Sequence, residues 1–251
     1  MLDFVYYPVS GVLWLWHTAF ASVLGGGVAW TLAVIFLVVT LRALLLRPFL
    51  AQARFQRALG RMAPELQRIR DEHAGDQVRQ AEEWRRLQRD HGVNWMSAFL
   101  PIVMQGLVFL GLFHVLRCFT DANAAIGNYV FTAEQVGSFL AANLFTAPLS
   151  ESLSTAGDTF GSVALVVIPL VLCTAAVTHL TARAAIRRQP ASTSQQTKLL
   201  NTLSLWVFPL GAIAAAAIMP VAILVYFATN ALWTLGQQHF VSRHIPVTTD
   251  S

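Results

Sequence analysis

Long apolar stretches constrain what this chain of 251 residues can fold into. A helix needs about 20 apolar residues to cross the hydrocarbon core of a bilayer. Three stretches of that length occur, at 28–47, 93–118 and 161–183. The region from Leu199 to Gly236 is apolar for about twice the length that the core requires. It must therefore fold back, which predicts spans at 199–218 and 220–240 with a turn at Pro220.

The composition supports the same class of protein. Hydrophobic residues make up 55% of the chain and charged residues only 12%, whereas a soluble domain carries roughly 25% charged residues. The sequence therefore predicts an all-α integral membrane protein with five transmembrane helices. The two cysteines, Cys118 and Cys173, fall within or beside predicted spans. We expect them to pack as small hydrophobic residues, since two cysteines form no disulfide framework.

Lysine and arginine are distributed unevenly between the loops, and this predicts the orientation. They concentrate in 48–92 and in the linker 184–198, and the tail 241–251 adds Arg243, whereas 1–27 and 119–160 contain none. Basic loops remain in the cytoplasm. The N-terminus is then outside and the C-terminus inside. An odd number of spans requires the two termini to lie on opposite sides, which agrees with this assignment.

The N-terminal segment, 1–27, is rich in aromatic residues and has no lysine or arginine. Tryptophan and tyrosine favour the membrane–water boundary. We therefore predict an extracytoplasmic interfacial helix followed by a hinge at Gly25, Gly26 and Gly27. A short extra span is the alternative, although Pro8 and Gly11 are expected to interrupt it. The extracytoplasmic loop 119–160 is predicted to cap the outer ends of the spans.

The cytoplasmic segment 48–92 has helical periodicity in two parts. In the first part Phe55, Met62 and Ile69 repeat every seven residues, as in a coiled-coil seam. Gly75 and Asp76 then provide a helix stop and an N-cap. The sequence predicts an antiparallel helical hairpin whose charged residues mostly form a solvated face.

Motifs for catalysis are not found. The chain has no phosphate-binding loop, no paired histidines beside a glutamate and no Gly-x-Ser-x-Gly turn. We therefore expect no catalytic residue, metal site or cofactor. The predicted spans contain no Asp or Glu, which disfavours ion-coupled transport because such transporters keep intramembrane carboxylates. His179, late in the third span, is the histidine whose position is most unusual.

Arg42 is the charged residue that most needs an explanation. A charge at the centre of a transmembrane helix costs about 2.5–3.5 kcal/mol. Arg42 lies only five residues before Arg47, a distance that a long side chain can cover by extending to the cytoplasmic surface. The residues alone leave this interpretation and a buried polar cavity equally open.

Four stretches together resemble the YidC-type membrane insertase family. They are "TLRALLLRPFLAQ" (40–52), "RMAPELQRIRDEH" (61–73), the stretch 88–116 and "MPVAILVYFATNALWTLGQQ" (219–238). The opening "FVYYPVSGVLWLWH" is similar to actinobacterial members. The match runs in order over nearly the whole chain. In that family five spans surround a positively charged groove that opens to the cytoplasm and laterally to lipid and is closed on the outer side.

The resemblance implies a groove with one arginine, which corresponds to Arg42, and favours the cavity interpretation for that residue. We expect six residues to contact substrate there: Arg42, Thr40, Gln105, Thr178, Phe227 and Asn230. It also implies an insertase and chaperone of the bacterial plasma membrane that is not an enzyme and needs no nucleotide. The implied partners are nascent membrane proteins and the lipid bilayer. The 48–92 hairpin is a candidate contact for the ribosome or the general translocon, and no DNA partner is expected.

Departures from the family pattern leave two other functions open. Trp95, Phe99, Gly106 and Phe227 replace residues that are common in the family at these positions, which puts the substrate range in doubt. A specialised paralogue that assembles membrane complexes is one alternative. A small transporter or channel is the other, and it would need a continuous polar path to the outside.

Overall fold

The computed structural model describes residues 2–90, 96–121, 125–187 and 195–244. Trp95, residues 188–194 of the predicted linker and residues 245–251 of the predicted tail lie outside the described part of the chain. The chain divides into two compact units. The first comprises Met1–Leu41, Phe109–Arg188 and Thr193–Ser251, and the second comprises Arg42–Val108 and Gln189–Ser192.

Within the described residues the chain is almost entirely helical. The helices are α1 (Asp3–Ala21), α2 (Gly26–Leu44), α3 (Leu46–Glu72), α4 (Gln77–Asp90), α5 (Met96–Arg117), α6 (Ala133–Leu140), α7 (Phe160–Arg187), α8 (Gln195–Thr202), α9 (Phe208–Ala216) and α10 (Val221–His244). A short antiparallel hairpin follows α6, with strands β1 (Asn143–Leu144) and β2 (Ala147–Pro148). A 3₁₀ turn (Gly157–Thr159) precedes α7, and a π-helical turn (Leu203–Val207) connects α8 to α9.

Among the described residues, four segments are long and apolar enough to cross a membrane. They are Gly26–Leu44, Phe99–Arg117, Gly157–Arg187 and Leu199–Ala216. This agrees with the predicted integral membrane class. The fifth predicted span coincides with α10, which has 24 residues and is therefore about 36 Å long. Its second half carries several polar side chains, including Gln237 and Gln238, so the count of five spans stays a prediction.

The N-terminal helix α1 packs against α5. A Cβ atom added at Gly111 would meet side-chain atoms of Val5 and Val9 at 3.0–3.1 Å, so the missing side chain lets the two helices approach closely. Pro8 and Gly11 lie inside a continuous helix, and the expectation that they interrupt it is wrong. Pro8 is the sixth residue of α1 and removes the N–H that would donate to Phe4 O, yet the helix continues to Ala21.

His17 on α1 contacts the start of α2. Its ring stacks on Trp30 with centroids 3.8 Å apart, and the residue is only 5% exposed. Its Nδ1 atom is buried and has no hydrogen-bond partner in the described part of the chain. Burial lowers the pKa of His17 below its ordinary value of 6.5, because desolvation disfavours the charged imidazolium.

This environment predicts a pH dependence of stability. Just below pH 6.5 the unfolded chain binds a proton at His17 more readily than the folded protein does. The stability that the neutral ring contributes is therefore complete above pH 6.5 and declines as the pH falls below it. Thermal unfolding of the purified protein from pH 8 to pH 5 should show this loss. His17→Phe keeps an aromatic ring on Trp30 and should reduce the slope, and an unchanged slope would contradict the assignment.

The described residues of 119–160, which we call the outer segment after its predicted side of the membrane, fold onto α2 through an aromatic cluster. Trp30 is fully buried, and its ring centroid lies 5.9 Å from Phe119, 5.6 Å from Phe131 and 5.2 Å from Phe139. Its indole Nε1 donates a hydrogen bond to Ser138 Oγ at 3.2 Å. Each aromatic ring in such a cluster removes a large apolar area from solvent, which stabilises the packing. The segment is therefore an ordered layer at the N-terminal end of α2.

The same segment also completes the start of α10. The first N–H groups of a helix have no acceptor within the helix. Here Val221 N donates to Glu151 O at 2.8 Å, and Ala222 N donates to Leu149 O at 3.0 Å. The turn between α9 and α10, which includes Pro220, is thereby joined to the outer segment by backbone hydrogen bonds.

In the second unit, α3 and α4 pack against each other around a four-residue turn. Gly75 takes a positive φ of 98°, which glycine adopts without steric cost. Asp76 Oδ1 accepts a hydrogen bond from Arg79 N at 3.1 Å, the N-cap geometry that satisfies one free N–H of α4. Gln80 Nε2 donates to His73 O at 2.7 Å across the turn.

The two faces of α3 differ in the expected way. Phe55 and Met62 are buried, at 6% and 1% exposure. Among the side chains described on α3 and α4, nine arginines are exposed: Arg47, Arg54, Arg61, Arg68, Arg70, Arg79, Arg85, Arg86 and Arg89. Of the three seam residues named from the sequence, Phe55 and Met62 are buried and Ile69 is half-buried.

Candidate functional site

A cavity of about 410 Å³ lies within the first unit, between α7, α9 and α10. Its lining residues are Val171, Thr174, Thr178, Thr181, Gly211, Ala212, Ala215, Leu224, Phe227, Asn230, Ala231 and Thr234. On α7 and on α10 they recur at steps of three and four residues, so each helix contributes one continuous face. The cavity therefore follows the helices lengthwise and is not a local packing defect.

The lining changes from apolar to polar along these helices. Val171, Leu224 and Phe227 lie nearer the N-terminal ends of α7 and α10, and Thr181 and Thr234 lie nearer the C-terminal ends. The polar side chains of the cavity therefore lie toward the C-terminal ends of these two helices.

The threonine hydroxyls of the cavity are largely bonded to their own helices. Thr174 Oγ1 donates to Leu170 O, Thr181 Oγ1 to Val177 O and Thr234 Oγ1 to Asn230 O, at 2.7–2.8 Å. Such bonds to the preceding turn satisfy a hydroxyl donor in an apolar environment. The oxygen keeps lone pairs that can accept further hydrogen bonds. These threonines therefore present acceptors to a ligand or to water.

The wall formed by α9 is made of small residues. Gly211, Ala212 and Ala215 face the cavity, and a Cβ at Gly211 would meet no atom within 4 Å. Large apolar residues on the other faces are exposed, including Leu172 and Leu180 on α7 and Leu210 on α9. On α9 the large apolar residues therefore lie on the outer face and the small ones on the cavity.

Three of the six predicted groove residues come together in this cavity. Thr178, Phe227 and Asn230 line it from α7 and α10. Phe227 also packs on Phe109 of α5, with ring centroids 5.3 Å apart. Thr40 is not among the described lining residues. Its Oγ1 accepts a hydrogen bond from Trp16 Nε1 at 2.9 Å, so it connects α2 to α1.

Arg42 and Gln105 belong to the second unit and are half-buried. Helix α2 ends at Leu44, so Arg42 lies in its last turn and closer to a helix end than the predicted span, 28–47, implies. The free carbonyl groups at a helix C-terminus attract a cation, which lowers the cost of placing Arg42 there. Gln105 lies within α5, next to Gly106, where an added Cβ would meet no atom within 4 Å.

Comparison with known proteins decides the family. The model of the "60Kd inner membrane protein" family matches residues 20–248. The chain is 41% identical over 264 residues to the "Membrane protein insertase YidC" of Mycolicibacterium paratuberculosis, and the match covers 96% of this chain and 75% of that protein. The chain belongs to the 60Kd inner membrane protein family. The resemblance read from the sequence, to the YidC-type insertases, is thereby confirmed.

Two further members of the family have lower sequence identity to this chain. A protein named "Membrane protein insertase YidC" from Mycobacterium tuberculosis is 40% identical, with 96% of this chain and 72% of that protein covered. One of the same name from Streptomyces avermitilis is 30% identical, with 98% of this chain and 59% of that protein covered. All are actinobacterial, as the opening of the sequence indicates.

The matched region of this family member includes all six predicted groove residues. Thr181 and Thr234 also line the cavity, although neither was predicted from the sequence. Helical spacing could have identified them, because Thr181 follows the predicted groove residue Thr178 by three positions and Thr234 follows Asn230 by four. Among the described residues, no group of three or more His, Cys, Asp or Glu side chains could hold a metal ion.

Proposed function

We propose that this chain is a membrane protein insertase whose cavity between α7, α9 and α10 receives part of a nascent membrane protein. The observation that carries the proposal is the cavity itself, which brings Thr178, Phe227 and Asn230 together in a family member. Relatives covering most of this chain carry the name membrane protein insertase.

The physical task of an insertase is to move a polar flank past hydrocarbon. Burying the apolar segment of the substrate in lipid is favourable by roughly 25 cal/mol per Å². A charged side chain in the bilayer centre costs about 2.5–3.5 kcal/mol on insertion scales. A cavity that carries polar groups at one end and reaches partway across the membrane would shorten the dry path. The acceptor oxygens of Thr181 and Thr234 would keep water and the flank hydrogen-bonded there.

The finer features of the function are also proposals. We infer five spans, an outside N-terminus and an inside C-terminus, and a groove open to the cytoplasm and to lipid. Arg42 and Gln105 would contribute to that groove, Arg42 by attracting acidic residues of the translocated flank. Nascent membrane proteins are the substrates, and the exposed arginines of α3 and α4 would meet a ribosome or the general translocon. The process needs no nucleotide or catalytic group.

Complementation tests the proposed function. In a bacterial strain depleted of its own insertase, the chain should restore the insertion of a single-spanning reporter with a short translocated flank. Asn230→Leu and Thr178→Val remove polar groups from the cavity and should reduce that restoration. Leu180→Val changes an exposed residue on the same helix and should not. Growth without reporter insertion would favour an assembly factor, and solute flux in proteoliposomes would favour a channel.

A further inference from the structure

The π turn that leads into α9, one wall of the cavity, contains a carbonyl that lacks its usual α-helical donor. In an α-helix the Leu205 carbonyl would accept from the N–H of residue 209. That residue is Pro209, which has no N–H and whose ring clashes with the carbonyl four residues earlier. The π-helical turn Leu203–Val207 lies at this point. Proline therefore explains both the irregular turn and the need for an outside donor.

His179 on α7 provides that donor. Its Nδ1 atom lies 2.9 Å from Leu205 O. A carbonyl oxygen can only accept, so Nδ1 carries the proton. The imidazole also contacts Trp206 of the π turn, with ring centroids 5.4 Å apart. Backbone groups freed by proline within a membrane helix are commonly satisfied by a neighbouring helix, and here the neighbour is α7.

The bond sits beside the cavity on both helices. On α7, His179 lies between the lining residues Thr178 and Thr181, and on α9 the lining residues Gly211 and Ala212 follow the π turn closely. A π turn contains one more residue than an α turn, and each residue rotates a helix by about 100°. If the turn relaxed to α-helix, α9 would rotate and present bulkier side chains to the cavity.

We propose that His179 is a positioning residue, which holds the π turn through the Leu205 carbonyl and so keeps the small face of α9 on the cavity. We call His179, Leu205 and Pro209 the carbonyl clamp. The structural role of His179 does not depend on the proposed function. Its effect on insertion does, since the clamp sets the shape of the cavity that receives substrate. It assigns His179 a role that none of the predicted groove residues has.

Four proteins are compared: wild type, His179→Leu, His179→Asn and the double variant His179→Leu/Pro209→Ala. Together they show whether His179 sets the orientation of α9 or only stabilises the fold. His179→Leu leaves the carbonyl without its donor and should lower the melting temperature by about 3–8 °C. His179→Asn keeps an N–H near the Nδ1 position and should retain most of that stability. Pro209→Ala restores the N–H that Leu205 lacks, so the double variant should melt close to wild type.

Cavity geometry is read separately, by labelling single cysteines with a water-soluble maleimide after Cys118 and Cys173 are replaced by alanine. Ala212→Cys should label through the cavity in otherwise wild-type protein. In the double variant, whose π turn is free to relax, this labelling should fall several-fold, and reporter insertion should stay low despite restored melting. Unchanged Ala212→Cys labelling, or insertion restored along with stability, would overturn the positioning role.

These readouts also distinguish the clamp from the proposed function. Melting and labelling do not depend on substrate insertion. If the double variant shows the expected melting and labelling while the wild type inserts no reporter, the clamp stands and the insertase function fails. If the wild type inserts the reporter and His179→Leu changes neither melting nor labelling, the function stands and the clamp is wrong.

Discussion

Gly27→Ala is expected to lower the melting temperature of the purified protein by about 3–12 °C, the shift that overpacking of about 1–3 kcal/mol produces in a chain of this size. A Cβ at Gly27 would overlap the carbonyl oxygen of Asn143 and lie 3.0 Å from its carbonyl carbon. These are backbone atoms of the β1–β2 hairpin, which cannot rotate away as a side chain can. The outer segment would have to separate from the start of α2.

Gly26→Ala provides a matched control. Both glycines lie in the first turn of α2, and alanine is intrinsically better than glycine in a helix by roughly 0.5–1 kcal/mol. At Gly26 the nearest atom to an added Cβ is Ser138 Oγ, at an ordinary 3.8 Å. Gly26→Ala should therefore be neutral or slightly stabilising. If Gly27→Ala has the same melting temperature as Gly26→Ala, the β1–β2 hairpin does not pack against Gly27 of α2 as described.

Arg42→Ala should reduce the insertion of substrates with acidic translocated flanks by about tenfold, the factor that corresponds to 1.4 kcal/mol. The physical reason is the loss of a cation that attracts carboxylates where water is scarce. Arg42→Lys keeps the charge and should retain most of the activity. Insertion of a reporter with a neutral flank, measured alongside by protease protection, should change much less.

Arg47→Ala is the control for Arg42→Ala, because it makes the same change in charge five residues later. Arg47 is exposed at the start of α3, whereas Arg42 is half-buried in the last turn of α2. Screening by water weakens the effect of an exposed charge. Equal losses for the two variants would indicate that only the general positive charge of the cytoplasmic side matters. Equal activity of Arg42→Ala and wild type on acidic flanks would contradict a role for this charge in the groove.

The features that sequence reasoning predicted are local ones. Apolar length located the helices that carry Arg42 and Thr178, because span length follows directly from bilayer thickness. Gly75 and Asp76 located the turn between α3 and α4, because the conformation of Gly75 and the N-cap hydrogen bond of Asp76 depend on these residues alone. Phe227 and Asn230 were assigned to the groove from the family resemblance, and both line the cavity from α10.

Contacts between residues far apart in the sequence could not be predicted from local sequence patterns. Trp30 and Ser138 are 108 positions apart, and no periodicity connects them. The loop 119–160 was expected only as a cap, whereas its aromatic residues fold it onto α2. Thr40 was assigned to the groove from its position in a predicted span, but the direction of its side chain depends on Trp16 of another helix. The Pro209–His179 relation likewise required knowing which helix lies beside α9.

Site-specific photocrosslinking to a stalled nascent membrane protein tests the central claim most directly. A photoreactive amino acid would replace Thr178 or Asn230, which line the cavity, and Leu165, which is exposed near the start of α7 and is 71% accessible, as the matched control. The account predicts crosslinks from the two cavity positions that appear when the apolar segment of the substrate emerges from the ribosome, with far weaker crosslinks from Leu165. Crosslinks of equal strength from all three positions, or none from Thr178 and Asn230, would contradict it.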